Sequence, residues 1–436
     1  MSRELIAIFG QRLWQSFAGL VTVFLVTRYL SSEEQGWYYT FLSVAAWYSI
    51  FEMGLSTALV QSSGHFFRGM RWGPSGGLEG AGGAYFSSFF SQAVRVYIWL
   101  AGSFACLVLL FGGAFFSSKT GNSAAVVAWQ FPWLGLVLAT SAAMVTLPFL
   151  SIAEGTGSIA EAYAVRLGQG VAGALACWVL LATGGALWAS VAVPFAGIVV
   201  AWTWLLCYRK KTVSVILRTP KTGDFDWRRE IWPLQWRLGV GWLGVYFMSQ
   251  LATPILFYFQ DSVVAGQMGL TLTIVHMLGL LSQAPLAKVV PAMSTAVVQR
   301  SWRDLETLFK QGVSGFCLLF GAGTAVLWMV NLIVQGTPFA ERILPSRQLA
   351  ELLVFVFFFQ LNLAFGSQLR ALRQEPLVWI YVAGGVLTFL GSWAMAATGS
   401  SAGVIRIMVL VQAGALFPAC LFVWRSNLRQ WRYSDD

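Results

Sequence analysis

A few ionisable side chains stand inside or at the ends of strongly apolar runs, and they set the chemistry open to this chain. The cations are Arg12, Arg28, Arg95, Arg166, Lys288 and Arg370; the acids are Glu52 and Asp261. A charge in an apolar segment is expensive and usually faces a cavity or a partner. Arginines in a low-dielectric cavity suit an anionic group such as a phosphate, which their planar donors can grip. The acids suit an ion pair or a proton or metal cation. For each cation taken alone, the plainer role is a side chain snorkelling from a helix end to lipid phosphate. As a group they point to a positively lined vestibule.

Spacing sharpens some of these roles. Counting 1.5 Å per helical residue from the turn near Leu30 and Gly36, Arg12 lies about 27 Å down one apolar run and Glu52 about 24 Å down the next. Equal depth makes Arg12 a candidate partner for Glu52, in either a structural ion pair or a substrate site. In "AVRLGQG", Arg166 and Gln169 are three apart and share a helix face. Lys288 sits in "APLAKVVPAM" between Pro285 and Pro291, which should break regular helical hydrogen bonding there. Arg28 is within reach of Glu33 or Glu34. Asp261 and His276 are open to proton or cation coupling, or to plain helix-end and core roles.

Other chemistries lack parts. No G-x-x-x-x-G-K-[ST] loop occurs, so ATP hydrolysis by phosphate cradling is excluded. The two histidines, His65 and His276, are too few for a multi-histidine metal site. The five cysteines are widely spaced in apolar surroundings and read as small core residues. "DFD", Asp224 to Asp226, matches a metal-nucleotide pattern of some glycosyltransferases, but in a loop of a basic stretch it reads as an acidic spot. A membrane glycan polymerase or ligase would usually carry a large outer loop with catalytic charges, and every outer loop here is short.

The elements that must position these residues are membrane helices. Of 436 residues 57% are hydrophobic and 11% charged, with mean hydropathy +0.67; a soluble domain carries about a quarter charged residues. Runs of about 20 apolar residues recur along the chain, the length that crosses the hydrocarbon core. The first is too long for a cleavable signal and lacks a cleavage pattern. Twelve spans are expected, at 7–30, 36–62, 93–116, 124–150, 163–184, 186–207, 237–259, 263–290, 312–334, 346–368, 376–398 and 402–424. With both termini cytoplasmic, all but five of the 28 basic residues fall on the cytoplasmic side, as positive charge resists translocation. The five are Arg28, Lys119, Arg342, Arg347 and Arg406. The net charge of +10 is thereby accounted for with no nucleic-acid partner.

The loop His65 to Phe86 is glycine-rich and reads as a flexible linker. The basic stretch 208–230 divides the chain into six-helix lobes at 1–207 and 231–436. At an offset of 230, "SSEEQGWYY" (Ser31 to Tyr39) lies over "DSVVAGQMG" (Asp261 to Gly269), with Ser32 over Ser262 and Gly36 over Gly266. Six-helix halves in parallel repeat suggest a transporter rocking two bundles around a central cavity.

The stretch "GQRLWQSFAGLVTVFLVTRYLSSEEQGWYYTFLSVAAWYSIFEMGLSTALV" resembles the opening of Wzx-type polysaccharide flippases, in the multidrug/oligosaccharidyl-lipid/polysaccharide (MOP) superfamily. "LSIAEGTGSIAEAYAVRLGQ", "VVAGQMGLTLTIVHMLGLLSQAPLAKVVPAMS" and "RSWRDLETLFKQ" are similar too. The resemblance implies an all-α protein of two six-helix lobes around a central cavity in the bacterial cytoplasmic membrane. It implies a non-enzymatic flippase moving undecaprenyl-pyrophosphate-linked oligosaccharide to the outer leaflet by alternating access, for surface polysaccharides such as O-antigen or exopolysaccharide. Its implied partners are that lipid-linked sugar, membrane lipids, and a polysaccharide polymerase with its export machinery. No cofactor is implied beyond H⁺ or Na⁺ as a coupling ion. The family's charged positions in the first two helices and the eighth correspond to Arg12, Arg28, Glu52 and Lys288. The competing reading is a cation-coupled multidrug or small-molecule antiporter of the same superfamily, which should line its cavity with acids; Glu52 and Asp261 are the intramembrane candidates.

Overall fold

The computed structural model describes residues 3–73, 78–80, 82–120, 127–210, 213–214, 225–372 and 375–433, without the side chains of 3–9, 12, 120 and 430–433. Two compact units, Met1–Trp242 and Leu243–Asp436, divide the chain. Among the described residues nine helices are long and apolar enough to cross a membrane, and a bent pair makes ten. Their outer faces carry large apolar side chains suited to lipid, such as Trp99 and Ile333, each 77% exposed. The chain is therefore a multi-pass helical membrane protein.

The first unit opens with α1 (Arg3–Tyr29). The expected span 36–62 is not one helix but three: α2 (Ser32–Ala45), α3 (Tyr48–Glu52) and α4 (Leu55–Phe66). Ser31 starts α2 with a capping box: its hydroxyl accepts from the Glu34 N–H at 3.1 Å, and its own N–H donates to the Glu34 carboxylate at 2.8 Å. Met53 and Gly54, with φ of 50° and 67°, turn the chain left-handed and stop α3. Then come α5 (Gly83–Thr120), α6 (Gln130–Met144), α7 (Leu147–Gly155), α8 (Ile159–Ala182) and α9 (Trp188–Cys207).

The core of this unit is aromatic. Phe116 and Trp133 lie 4.9 Å apart, Phe41 and Phe116 also 4.9 Å, and Trp37 and Trp129 stack at 5.9 Å. Such pairs add to the burial of large rings.

The glycine-rich loop is not a plain linker. β1 (Arg71–Trp72) pairs antiparallel with β2 (Leu78–Glu79). Arg71 meets Glu79 at 2.9 Å, Trp72 packs on Phe67 at 5.2 Å, and its indole N–H donates to Thr156 at 3.3 Å. Glycine counting alone missed these tryptophan and charge anchors. Most of the basic stretch 208–230 lies outside the described residues, Asp224 included. Phe225 at its end is buried against Phe66, Tyr85 and Phe89. Asp226 caps the short α10 (Trp227–Glu230) by accepting from the Arg228 N–H at 2.9 Å, which gives that acid a local structural role.

Helix α11 (Trp232–Ser249) carries the boundary between the units and bends by 47° into α12 (Ala252–Phe259). The second unit continues with α13 (Ser262–Ser282), α14 (Ala284–Val298), α15 (Trp302–Val334), α16 (Ser346–Ala371), α17 (Val378–Ala397), α18 (Ser401–Val409) and α19 (Phe417–Tyr433). Residues Leu410–Leu416 between α18 and α19 form a π-helical turn. Of the prolines around Lys288, Pro285 stands in the first turn of α14 after α13 ends at Ser282, whereas Pro291 lies inside α14, which runs on through it to Val298. Close helix crossings use glycine. A Cβ on Gly244 would meet the Tyr381 carbonyl carbon at 2.5 Å, and one on Gly385 would meet the Gly244 oxygen at 2.7 Å.

Candidate functional site

The feature with most chemical content is the break after Glu52. Ending α3 at Met53 leaves Glu52 inside the second apolar run, and its side chain is buried. Tyr97 of α5, fully buried, donates its hydroxyl to Glu52 Oε1 at 3.0 Å. The backbone N–H of Ser56, in the first turn of α4, donates to the same oxygen at 3.0 Å. Both donors fall on Oε1, and among the described residues no donor reaches Oε2. No described cation pairs with Glu52, and the Arg12 side chain lies outside the described residues. A buried carboxylate held on one oxygen by neutral donors is a natural receptor for a proton or small cation at the other.

The break is held by packing. A Cβ on Gly54 would stand 3.1 Å from Leu238 and from Trp242, and one on Gly239 would stand 2.6 Å from the Met53 Cβ. Glycine at 54 therefore meets two needs, the left-handed backbone and the close approach of α11.

The expected cations that are described stand on different helices: Arg28 on α1, Arg95 on α5, Arg166 on α8, Lys288 on α14 and Arg370 on α16. Arg166 is ion-paired to Glu154 of α7 at 2.6 Å, and its guanidinium lies 5.0 Å over the Tyr163 ring. Gln169, expected to share its face, donates across to the Gly197 carbonyl of α9 at 3.0 Å. Arg95 is exposed on α5, Lys288 on α14, and Arg370 in the last turn of α16. Arg28 is exposed in the last turn of α1, and among the described residues no ion pair joins it to Glu33 or Glu34; Glu34 closes the capping box with Ser31. Asp261 is exposed and caps α13, accepting from the Val264 N–H at 2.7 Å. His276 is packed against Phe359, ring centroids 6.2 Å apart.

Sequence reasoning missed three groups. Tyr97 is 45 residues from Glu52, and nothing in its local sequence marks it. Glu154 was not singled out, as nothing in its local sequence ties it to Arg166. The third is a fork in which Arg209 donates to both carboxylate oxygens of Glu161, through Nε at 2.9 Å and through Nη2, and to Ser158 at 3.0 Å. Trp204 donates to the same Glu161 at 2.7 Å. This fork ties the start of α8 to the end of α9.

Neither a protein-family model nor a curated sequence matches the chain. Solved structures do. An inward-facing multidrug resistance MATE family transporter of the MOP superfamily superposes with a TM-score of 0.71 at 11% identity, over 100% of this chain and 97% of its own. An outward-facing one gives 0.60 at 12% identity, over 98% and 95%. A MOP superfamily transporter from Pyrococcus furiosus, described by a reverse polarity of its binding pocket, gives 0.55 at 13% identity, over 99% and 95%. Those proteins are transporters, and at these identities the likeness speaks for architecture. From end to end, the chain has the fold of MOP-superfamily MATE transporters.

Proposed function

We propose that this chain is a secondary transporter working by alternating access, with Glu52 as the carboxylate that couples transport to H⁺ or Na⁺. The observation that carries this is the Glu52 site: a buried acid, at a helix break, with one oxygen held by Tyr97 and Ser56 and the other open. We take the architecture as twelve spans in two six-helix lobes, 1–207 and 231–436, joined by 208–230, with both termini cytoplasmic. Small-molecule antiport is the leading reading of the cargo. It is supported by the multidrug MATE transporters that share the fold and by the pairing of Arg166 with Glu154, which removes one cation from an anion receptor.

A second reading keeps the mechanism and changes the cargo to undecaprenyl-pyrophosphate-linked oligosaccharide, in the bacterial inner membrane beside a polysaccharide polymerase and export machinery. Two things favour it: the resemblance of the first two apolar runs to Wzx-type flippases, and the cations Arg28, Arg95, Lys288 and Arg370. These have no carboxylate partner among the described residues and suit a pyrophosphate.

One paired experiment separates the readings. Purified protein in liposomes is tested for extrusion of a cationic dye under an imposed H⁺ or Na⁺ gradient, and a deletion strain is tested for lipid-linked saccharide trapped on the inner leaflet. Gradient-driven dye export without trapped saccharide supports antiport. Trapped saccharide without dye export supports the flippase. Neither signal removes both.

A further inference from the structure

The second unit contains a cleft of about 630 Å³ that the transport reading does not use. It opens between the first turns of α15 and the last turns of α19, against the end of α16. Its floor is aromatic: Trp424 stacks on Phe365 at 4.9 Å and meets Phe309 at 5.5 Å. The Trp424 indole is fixed by donating to the buried Gln368 at 2.7 Å. Its rim is cationic. Arg425 and Arg429 stand one helical turn apart on α19, both exposed, and Lys310 faces the same space from α15. Among the described residues the lining has one carboxylate, Glu306, already bound to Lys310 at 2.9 Å. Neither arginine has an acid within salt-bridge distance among the described residues.

We propose that this cleft binds one anionic phospholipid. Its phosphate is held by Arg425 and Arg429, and its acyl chains leave over Val313 and Leu428. Three features argue for this occupant. The rim has more positive than negative charge, so it fits an anion. A floor of tryptophan and phenylalanine with a positive edge matches a molecule that is charged at one end and apolar along the rest. The charge bias along the chain puts these helix ends on the cytoplasmic side, where anionic headgroups create the negative surface that basic clusters read. The volume accommodates a headgroup and the first methylenes of its chains.

Native mass spectrometry of delipidated, full-length protein tests this without any transport readout, so its outcome is independent of the cargo. The probes are phosphatidylglycerol and phosphatidylcholine with identical acyl chains, and inorganic phosphate as competitor. The expected result is one phosphatidylglycerol retained in preference to phosphatidylcholine. Arg425→Ala/Arg429→Ala should weaken that retention roughly thirtyfold, taking the usual gain for each basic group at an anionic surface. Arg425→Lys/Arg429→Lys, which keeps the charge, should retain most of it. Equal retention of the two lipids, or no change in the alanine variant, overturns the proposal. So does displacement by millimolar inorganic phosphate, which would mean a plain anion site. A dimer that dissociates in the alanine variant would assign the cleft to a second copy, and also overturns it.

Discussion

Replacing Glu52 separates a coupling carboxylate from a structural one, because two substitutions at this position have opposite consequences for its neighbours. In Glu52→Gln the amide oxygen replaces Oε1 and still accepts from the Tyr97 hydroxyl and the Ser56 N–H, each now at 3.0 Å. Only the charge assistance is lost, about 1 kcal/mol per bond, and removing a buried charge returns part of that. The folded protein should therefore lose no more than about 2 kcal/mol. Glu52→Ala leaves both donors without an acceptor, and the Tyr97 hydroxyl is fully buried. Each stranded donor costs about 1–3 kcal/mol, so the alanine variant should lose about 2–6 kcal/mol. Thermal unfolding of detergent-solubilised protein reads this difference. Transport should show another pattern: the glutamine can bind neither proton nor cation, so gradient-driven transport in liposomes should fall at least about tenfold in both variants. Wild-type gradient-driven transport in Glu52→Gln would end the coupling role. A glutamine variant as unstable as the alanine variant would make the acid structural.

Other expectations rest on separate contacts. Breaking the Arg166–Glu154 pair, partly exposed at 27% and 19% of the two side chains, should cost about 2 kcal/mol after discounting for solvent. A double-mutant cycle of Arg166→Ala with Glu154→Gln should recover a coupling energy of that order; additive effects would mean the pair does not form. Gly244→Ala should destabilise by about 1–3 kcal/mol, since its Cβ would fall 2.5 Å from the Tyr381 carbonyl. Gly113→Ala, with nothing within 4 Å, should be neutral in the same melt. Asp261→Ala should lose about 1 kcal/mol of cap energy, and Asp261→Ser should restore it. Lost transport in a stable Asp261→Ser protein would give this acid a role beyond the cap.

Elements governed by local physics were legible in the sequence. Apolar runs marked the long helices, and Pro285 announced the helix start ahead of Lys288, while Pro291 interrupts nothing. Partnerships between distant residues were not. Glu52 signalled that it needed a partner, but a tyrosine on the third apolar run carries no sign of which carboxylate it will meet. Glu154 and Glu161 carry no sign in the sequence of their partners, and only three-dimensional packing sets Arg166 and Arg209 against them. The break after Glu52 left a weak signal in "FEMGLS", where Gly54 permits a left-handed turn without requiring it. Packing against Leu238 and Trp242 supplies the requirement.

At an offset of 230 residues that break has a counterpart. Ser31 and Asp261, 230 residues apart, each cap the second apolar run of their half. The same offset carries Met53 onto Gln283, the residue between α13 and α14. Both halves thus interrupt the same run at the same distance from its cap, one by a left-handed pair and the other ahead of a proline. The interruption belongs to the scaffold, since two unrelated local devices produce it. The chemistry placed there differs. Where the first half has Glu52, the second has Ser282, whose hydroxyl donates to the Leu278 carbonyl of its own helix at 2.7 Å. Beside it Gln283 donates to the Gln360 carbonyl and side chain at 3.0 and 3.1 Å. The second half fills its break with neutral groups that satisfy one another, and the first fills it with a carboxylate that has one oxygen open. The acid stands on one side only, and that is why Glu52 rather than its counterpart is the residue to replace first.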